Sequence, residues 1–376
     1  MEKKFKFATM IVMIFAFLLV ACNGNGDDVT ETAGEDSDSE TVEEVLDESE
    51  GETAADSSNL ETVVLYSNAI SDGRGEWIQE QAREAGFDLQ LVDDGGVAIA
   101  NRILAEQGNP QADVVFGLNQ LLWADLVQAG AITSYVPTWS DEIPAGLNNA
   151  NGYFHAVALV GNLLAYDTGQ VSADEAPTDW LDLWNDEAFH GRYALPNALT
   201  GSTIQMILSG LFNRFLDEDG HLGVSDEGWE NIAAKFENGF TTDQDLFSEF
   251  VNSSNDVAMS QIWHMGIAPR EAELDMEVAI VIPSVGIPFS VEGVALIEGA
   301  SNPDAAQRFI DWFGSAEVMN GFGIAFDYLP ANPNAHDGLA EETLTIAAIQ
   351  QQEIDWDTIS ENMGAWLEHI YLNYMH

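Results

Sequence analysis

A two-lobed α/β fold is what this 376-residue chain predicts, and three observations predict it. Short apolar runs alternate with amphipathic ones along most of the chain, the pattern of a mostly parallel sheet covered by helices. No repeat at solenoid periods competes with that pattern. Once the N-terminal segments are set aside, about 317 residues remain, enough for two packed lobes.

The elements follow in order. "ETVVLYSNA" reads as a strand ending in a polar loop, "GRGEWIQEQAREAG" as a helix closed by Gly86, and "FDLQLVDDGG" as a second strand with alternating apolar residues. "VAIANRILAEQGN" is a helix, "ADVVFGLNQ" a buried strand and "LLWADLVQAG" another helix. "GYFHAVALVGNLLAYDT" reads as strands crossing into a new region, and "GRYALPNALTGSTIQMILSGLF" as strand, loop and a helix opening at Thr200, Ser202 or Thr203. Helices are expected at about 226–239 and 243–252, and the chain after 302 is mostly helical. Two extended crossovers, near 158–168 and 280–296, join the lobes. Residues 60–162 and 286–376 are assigned to the first lobe and 163–285 to the second, each a mixed, mostly parallel sheet flanked by helices.

The N-terminus carries different information. Lys3, Lys4 and Lys6 precede an apolar run from Phe7 to Ala21, the layout of a secretory signal over residues 1–21 and too short for a comfortable span of the ~30 Å hydrocarbon core. "LVAC" ends in Cys22, the one cysteine of the chain, and resembles a bacterial lipobox. A lipidated Cys22 and an extracytoplasmic location, at the periplasmic or outer face of a membrane, are the expectation. A disulfide within the chain is excluded. Residues 23–59 hold fourteen Asp or Glu and no Lys or Arg; with so little apolar surface to bury, the segment 22–59 is expected to be a disordered acidic tether.

Beyond the signal, eight basic residues face 63 acidic ones, and Lys235 is the one lysine among them. That balance excludes a nucleic-acid partner, since phosphate backbones are bound through clustered Lys and Arg. It reads as a solvated acidic coat suited to high salt, where screening over a few Å weakens the self-repulsion.

Enzyme chemistry finds no foothold. There is no GxSxG elbow for Ser/His/Asp catalysis, and nothing singles out two carboxylates for glycoside hydrolysis, so a secreted enzyme stands only as the rival class. "DEDGHLGVSDE" has its glycine at the fourth position rather than the sixth of a calcium loop, and reads as a surface turn.

"PFSVEGVALIEGASNPDAAQRFIDWFGSAEV" resembles the return crossover and following helix of type II periplasmic solute-binding proteins of ABC importers. "ADVVFGLNQLLWADLVQAGAI" and "PTDWLDLWNDEAFHGRYALPN" resemble the same family, so that the likeness runs from Val63 to Asn332. Its nearest branches are those for ferric iron, thiamine, polyamines and aminoethylphosphonate. The resemblance implies a non-catalytic, monomeric binding protein without a cofactor. Its lobes hinge on the crossovers, close on a small solute and present it to permease subunits while lipid on Cys22 holds the chain at the membrane.

Candidate site residues follow. Ser67 and Asn68 end the first strand and either bond a solute or cap the next helix. Gly96, in "DDGG", allows backbone approach or forms a plain turn. Asn119 is cleft-facing or an N-cap. Ser202 and Thr203 open a helix, a place for an anion or an ordinary cap. Phe289 and Glu292 lie in "PFSVEG"; the resemblance implies that Glu292 grips an amine, whereas a structural pairing with an arginine is the alternative. In "VAMSQIWHMG", iron-binding relatives place adjacent tyrosines where this chain has Trp263 and His264, which argues against ferric iron held by phenolates. His264 has no clustered partner for zinc, so no metal is expected. Trp263 is a wall for a cationic or flat solute, or core. The reading favours a cation or zwitterion of the polyamine, thiamine or aminoethylphosphonate type, with ferric iron or its chelate as the alternative.

The charge balance yields a first prediction. Raising salt from about 50 mM to molar concentration should increase the thermal midpoint; a midpoint that stays level or falls would contradict the salt-adapted reading.

Overall fold

The computed structural model describes residues 60–375. The signal (1–21), Cys22 and the tether (22–59) lie outside the described residues, and none of the described helices is long and apolar enough to cross a membrane.

The first lobe opens with β1 (Glu61–Ser67), α1 (Arg74–Glu84), β2 (Phe87–Asp93), α2 (Gly96–Ala105), β3 (Val114–Gly117), α3 (Gln120–Ala129) and β4 (Ile132–Thr133). β5 (His155–Asp167) then leads into α4 (Asp182–Asn185), β6 (Ala194–Pro196), α5 (Ser202–Asn213), β7 (Leu216–His221), α6 (Asp226–Asn238) and β8 (Phe240–Thr242). β9 (Met259–Trp263), α7 (Ile267–Leu274) and β10 (Val278–Val281) complete the second lobe's sheet. β11 (Phe289–Ile297) returns, followed by α8 (Pro303–Phe313), α9 (Ala316–Phe326), β12 (Leu329–Pro330), α10 (Glu341–Ala347) and α11 (Trp356–Asn373).

β1 lies parallel between β2 and β3, and β11 runs antiparallel to β3. Alternation along β1 and β3 sends side chains to two cores. Leu65, Val114 and Phe116 pack with Ile78, Phe309 and Phe313 of α1 and α8. Tyr66 and Val115 pack with Ile99, Ile103, Trp123 and Leu126 of α2 and α3. All four residues of β3 are buried, as a strand covered on both faces requires.

The thirteen-residue β5 joins the lobes. Residues 155–161 pair with β11, whereas 162–167 pair with β9 and β10. The hydrogen-bonded order β10-β5-β11-β3-β1-β2 is therefore continuous through both lobes. β5 and β11 overlap the stretches 158–168 and 280–296 expected as crossovers, although residues 280 and 281 belong to β10. The second lobe is less parallel than expected: β5, β9 and β10 pair antiparallel, and β6 with β8 supplies its parallel pairing.

Two expectations are corrected. The helix expected at 243–252 is a short 3-10 turn, Ser248–Val251, because Asp245 and Thr242 side chains bond nearby backbone amides and hold the segment as turns. The last helix, expected in the first lobe, is built mainly into the second lobe's core, and it also lies against α3 of the first. Ile359, Met363, Trp366 and Ile370 form one stripe of α11 in the second lobe's core. There Trp366 stacks on Phe212 with ring centroids 4.4 Å apart, and its indole N–H donates to the Leu222 carbonyl at 2.8 Å.

Lys235 of α6 is buried, its ammonium nitrogen 5.2 Å from the Trp184 ring and 5.7 Å from that of Trp180. Burial pushes its pKa down to about 7. With the folded value below the unfolded one, only the unfolded chain takes up the proton between about pH 10.5 and 7, so stability falls across that window as pH falls. Lys235→Met should be more stable than wild type at pH 7 by roughly 1–4 kcal/mol, and the gap should close towards pH 10.5. Urea midpoints at three pH values test this; a gap independent of pH would contradict it.

Candidate functional site

Between the lobes lies a cleft of about 800 Å³. The first lobe contributes Asn68 from the loop after β1, Arg74 at the start of α1, Glu292 of β11 and Tyr328 after α9. The second contributes Ser202 and Thr203 at the start of α5, Trp263 at the end of β9 and Arg270 of α7. These are ends of strands and starts of helices, where an open α/β sheet leaves its crevice.

Glu292 lies beside the bulge between Glu292 and Gly293. Its Oε2 accepts a hydrogen bond from the Tyr328 hydroxyl at 2.7 Å. Burial raises its pKa to about 7, with the Tyr328 bond and the Arg74 charge pulling the other way. The Tyr328 phenol is itself raised well above its ordinary value, by burial first and then by the Glu292 charge. Arg74 sits 5.8 Å from the Tyr328 ring centroid; its Nη2 donates to Ser71 Oγ at 2.6 Å, and its Nε is buried with no partner. Across the cleft, the Arg270 guanidinium lies 4.8 Å from the centroid of Trp263 and donates to Asp245 at 2.9 Å. Of the eight basic residues beyond the signal, two line this one cleft. α5 begins at Ser202 behind Gly201, with no side chain capping its first amides.

The structure brings Asn68, Ser202, Thr203, Trp263 and Glu292 together on the cleft wall. Asn68 also holds the fold, accepting from the Leu118 amide at 2.7 Å where Leu118 is forced to φ 56°. Gly96 and Asn119 instead line a narrow side pocket of about 20 Å³, shared with Asn68 and Ser202. Asn119 proves to be the N-cap of α3, its Oδ1 accepting from Leu122 N, while its Nδ2 donates to Ser202 Oγ at 3.0 Å. Three further expected residues line neither the cleft nor the side pocket. Ser67 is fully buried and its Oγ accepts from the Ala69 amide at 3.0 Å, shaping the turn. Phe289 is packed with Leu163, Ile287 and Leu329. His264 is buried, its Nδ1 accepting from the Gly161 amide at 3.1 Å and its Nε2 without a partner; burial takes its pKa down to about 4, so the ring is neutral near pH 7.

Arg74, Arg270 and Tyr328 were missed. The two arginines carried a usable signal: in a chain this poor in base, each guanidinium in or beside a loop is a candidate for a specific partner. Tyr328 carried none, because its relation to Glu292 exists only after β11 and the end of α9 meet. Among the described residues, no group of three or more His, Cys, Asp or Glu side chains is placed to hold a metal ion.

The sequence profile of the bacterial extracellular solute-binding proteins matches residues 76–349. The chain belongs to this family. It is 35% identical over 317 residues to the "Probable ABC transporter periplasmic-binding protein y4fP" of Sinorhizobium fredii, covering 83% of this chain and 86% of that one. A Salmonella typhimurium protein with the provisional name 2-aminoethylphosphonate-binding periplasmic protein is 21% identical over 81% of this chain and 89% of its own. Among solved structures, the periplasmic binding protein P5PA superposes with a TM-score of 0.68 at 20% identity, covering 84% of this chain and 99% of that one. The ferric binding protein of Campylobacter jejuni gives 0.69 at 17%, covering 83% and 99%. The fold is thus the type II periplasmic-binding-protein fold, and this solute-binding protein is an extracytoplasmic, non-enzymatic component of an ABC transporter.

Glu292 supplies a test of the cleft's electrostatics. An acid with a raised folded pKa is uncompromised below its unfolded value and loses stability as pH rises through about 7. Glu292→Gln keeps an oxygen for the Tyr328 hydroxyl. It should match wild type near pH 4 and exceed it at pH 8 by on the order of 1 kcal/mol. Equal stability at both pH values would show that Glu292 is not held in a desolvated site.

Proposed function

We propose that this solute-binding protein captures a small organic zwitterion and delivers it to the permease subunits of an ABC importer, held at the membrane by lipid on Cys22. The observation that carries the reading is that both signs of charge meet on one cleft: Arg74 and Arg270 from opposite lobes, with Glu292 and the carboxylates of Asp72, Glu273 and Asp327 on the same lining. Two guanidiniums and the uncapped start of α5 favour an anionic group such as a phosphonate, phosphate or carboxylate. Glu292, ionised in part near neutral pH, favours an amine. Arg270 already engages the Trp263 ring, so the aromatic wall is not free to be the main attraction for a bare cation. Within the classes expected from the sequence, this moves the preference from a polyamine towards a zwitterion of the aminoethylphosphonate type, the solute in the name of the Salmonella relative.

Native mass spectrometry of the protein as purified, followed by thermal shifts with 2-aminoethylphosphonate, thiamine, spermidine and ferric citrate, tests the proposal. A solute at 100 times its Kd stabilises by about 2.7 kcal/mol. 2-Aminoethylphosphonate or another zwitterion should shift the midpoint, with the shift largely lost in Arg74→Ala, Arg270→Ala and Trp263→Ala. A shift from spermidine alone, or from ferric citrate with a coloured protein, would replace the reading; a shift that survives all three substitutions would move the site elsewhere.

A further inference from the structure

At the start of α3, Asn119 and Leu121 reach into the second lobe while Gln120 between them binds β11. Asn119, almost fully buried, keeps its Oδ1 for capping α3 and spends its amide on Ser202, the first residue of α5 in the second lobe; the two are 83 residues apart. Gln120 holds the crossover strand: its Nε2 donates to the Phe289 carbonyl at 2.8 Å and its Oε1 accepts from the Val291 amide at 3.0 Å. Leu121, though it belongs to α3, is buried in the second lobe's core with Ile204, Leu208 and Met363. The next residue, Leu122, turns back into the first lobe. The seam is flanked by a small pocket of about 20 Å³ at Asn119 and by a cavity of about 790 Å³ between α3 and α11.

We propose that the first turn of α3 is a latch that keeps the two lobes together in the absence of solute, with the Asn119–Ser202 hydrogen bond as its polar contact and Leu121 as its apolar one. Asn119 and Ser202 are then positioning residues for solute capture, acting through lobe closure. The helix start is suited to this task because its own cap leaves the Asn119 amide free to donate, and because Gln120 ties the same turn to β11, which pairs with the joining strand β5. The latch works beside the face that α11 presents to α3, so its hydrogen bond is one adjustable part of a wider seam.

The proposal is independent of which solute binds, and its test uses none. In the full chain carrying Cys22→Ser, spin labels at Glu84→Cys on α1 and Glu230→Cys on α6, both exposed, report lobe separation by pulsed electron resonance on solute-stripped protein. The parent should show a dominant short-distance population. Ser202→Ala removes the acceptor at a position where alanine suits the helix. Asn119→Ser keeps a capping oxygen but loses the amide donor. Each should lower the closed-to-open ratio by about 2- to 10-fold, and the double variant should go no further than either single one. Unchanged distance distributions in the single variants, or effects that simply add, would overturn the latch. Melting curves confirm that each variant is folded. Because no solute enters, failure here leaves the assignment of the cleft standing.

Discussion

β5 pairs with β11 along its first half and with β9 and β10 along its second, so one ladder of backbone hydrogen bonds serves both lobes. The change of partner falls at Gly161 and Asn162. Asn162 is buried, and its amide donates to the Val160 and Pro288 carbonyls and to Ser290 Oγ at 3.1–3.2 Å, tying the two crossing strands where neither has a regular neighbour on both sides. A buried amide is tolerated there because it is so fully bonded. Two side chains of the cleft wall depend on this junction. Trp263 pairs directly with Asn162, and Glu292 stands opposite Ala158 on the other side of the switch. Each lobe therefore carries part of the cleft within a few residues of the pivot, and the His264 ring, bonded to the Gly161 amide, links the Trp263 turn to the same point.

The charge distribution sets a second constraint. The exterior is so acidic that an approaching anion meets a repulsive field at low ionic strength, whereas a cation is drawn to the whole surface without discrimination. Selectivity must then come from short range. Inside the cleft, distance and burial outweigh the exterior field, because screening at physiological salt reduces exposed charges beyond about 8 Å to a minor influence. Arg74 keeps a buried and unpartnered Nε, a local donor for an anion even though its Nη2 is paired with the exposed Asp72 carboxylate at 3.3 Å.

Much of the fold was legible because the physics is local. The alternation in "FDLQLVDDGG" and the apolar block in "ADVVFGLNQ" announce strands covered on one or both faces, and both crossovers stand out as long apolar stretches. What was not legible depended on tertiary contact. The stripe Ile359, Met363, Trp366 and Ile370 announces a buried helix but not which lobe will bury it; that is decided by Phe212, more than 150 residues earlier in the chain. The cleft divided in the same way. Polar residues at strand ends and helix starts, such as Asn68 and Thr203, could be named from position. Whether a side chain at such a position faces solvent or the fold could not: Ser67 and Asn68 are neighbours, yet one is turned into its own turn and the other onto the cleft.

The double use of Asn119 bears on how tightly any solute can be held. If the seam at α3 contributes to closure before solute arrives, part of the ordering cost of closing has already been met, and solute binding energy is not needed for it. The opposite cost also applies, since a solute must enter while the lobes are apart, and apparent affinity falls by the fraction of time the competent state is populated. A single partly exposed hydrogen bond contributes about 0.5–1.5 kcal/mol net, so the Asn119–Ser202 bond accounts for up to about tenfold of that cost, with the Leu121 contact adding to it. A neutral amide donating to a hydroxyl holds the seam within the range in which thermal opening still admits a solute.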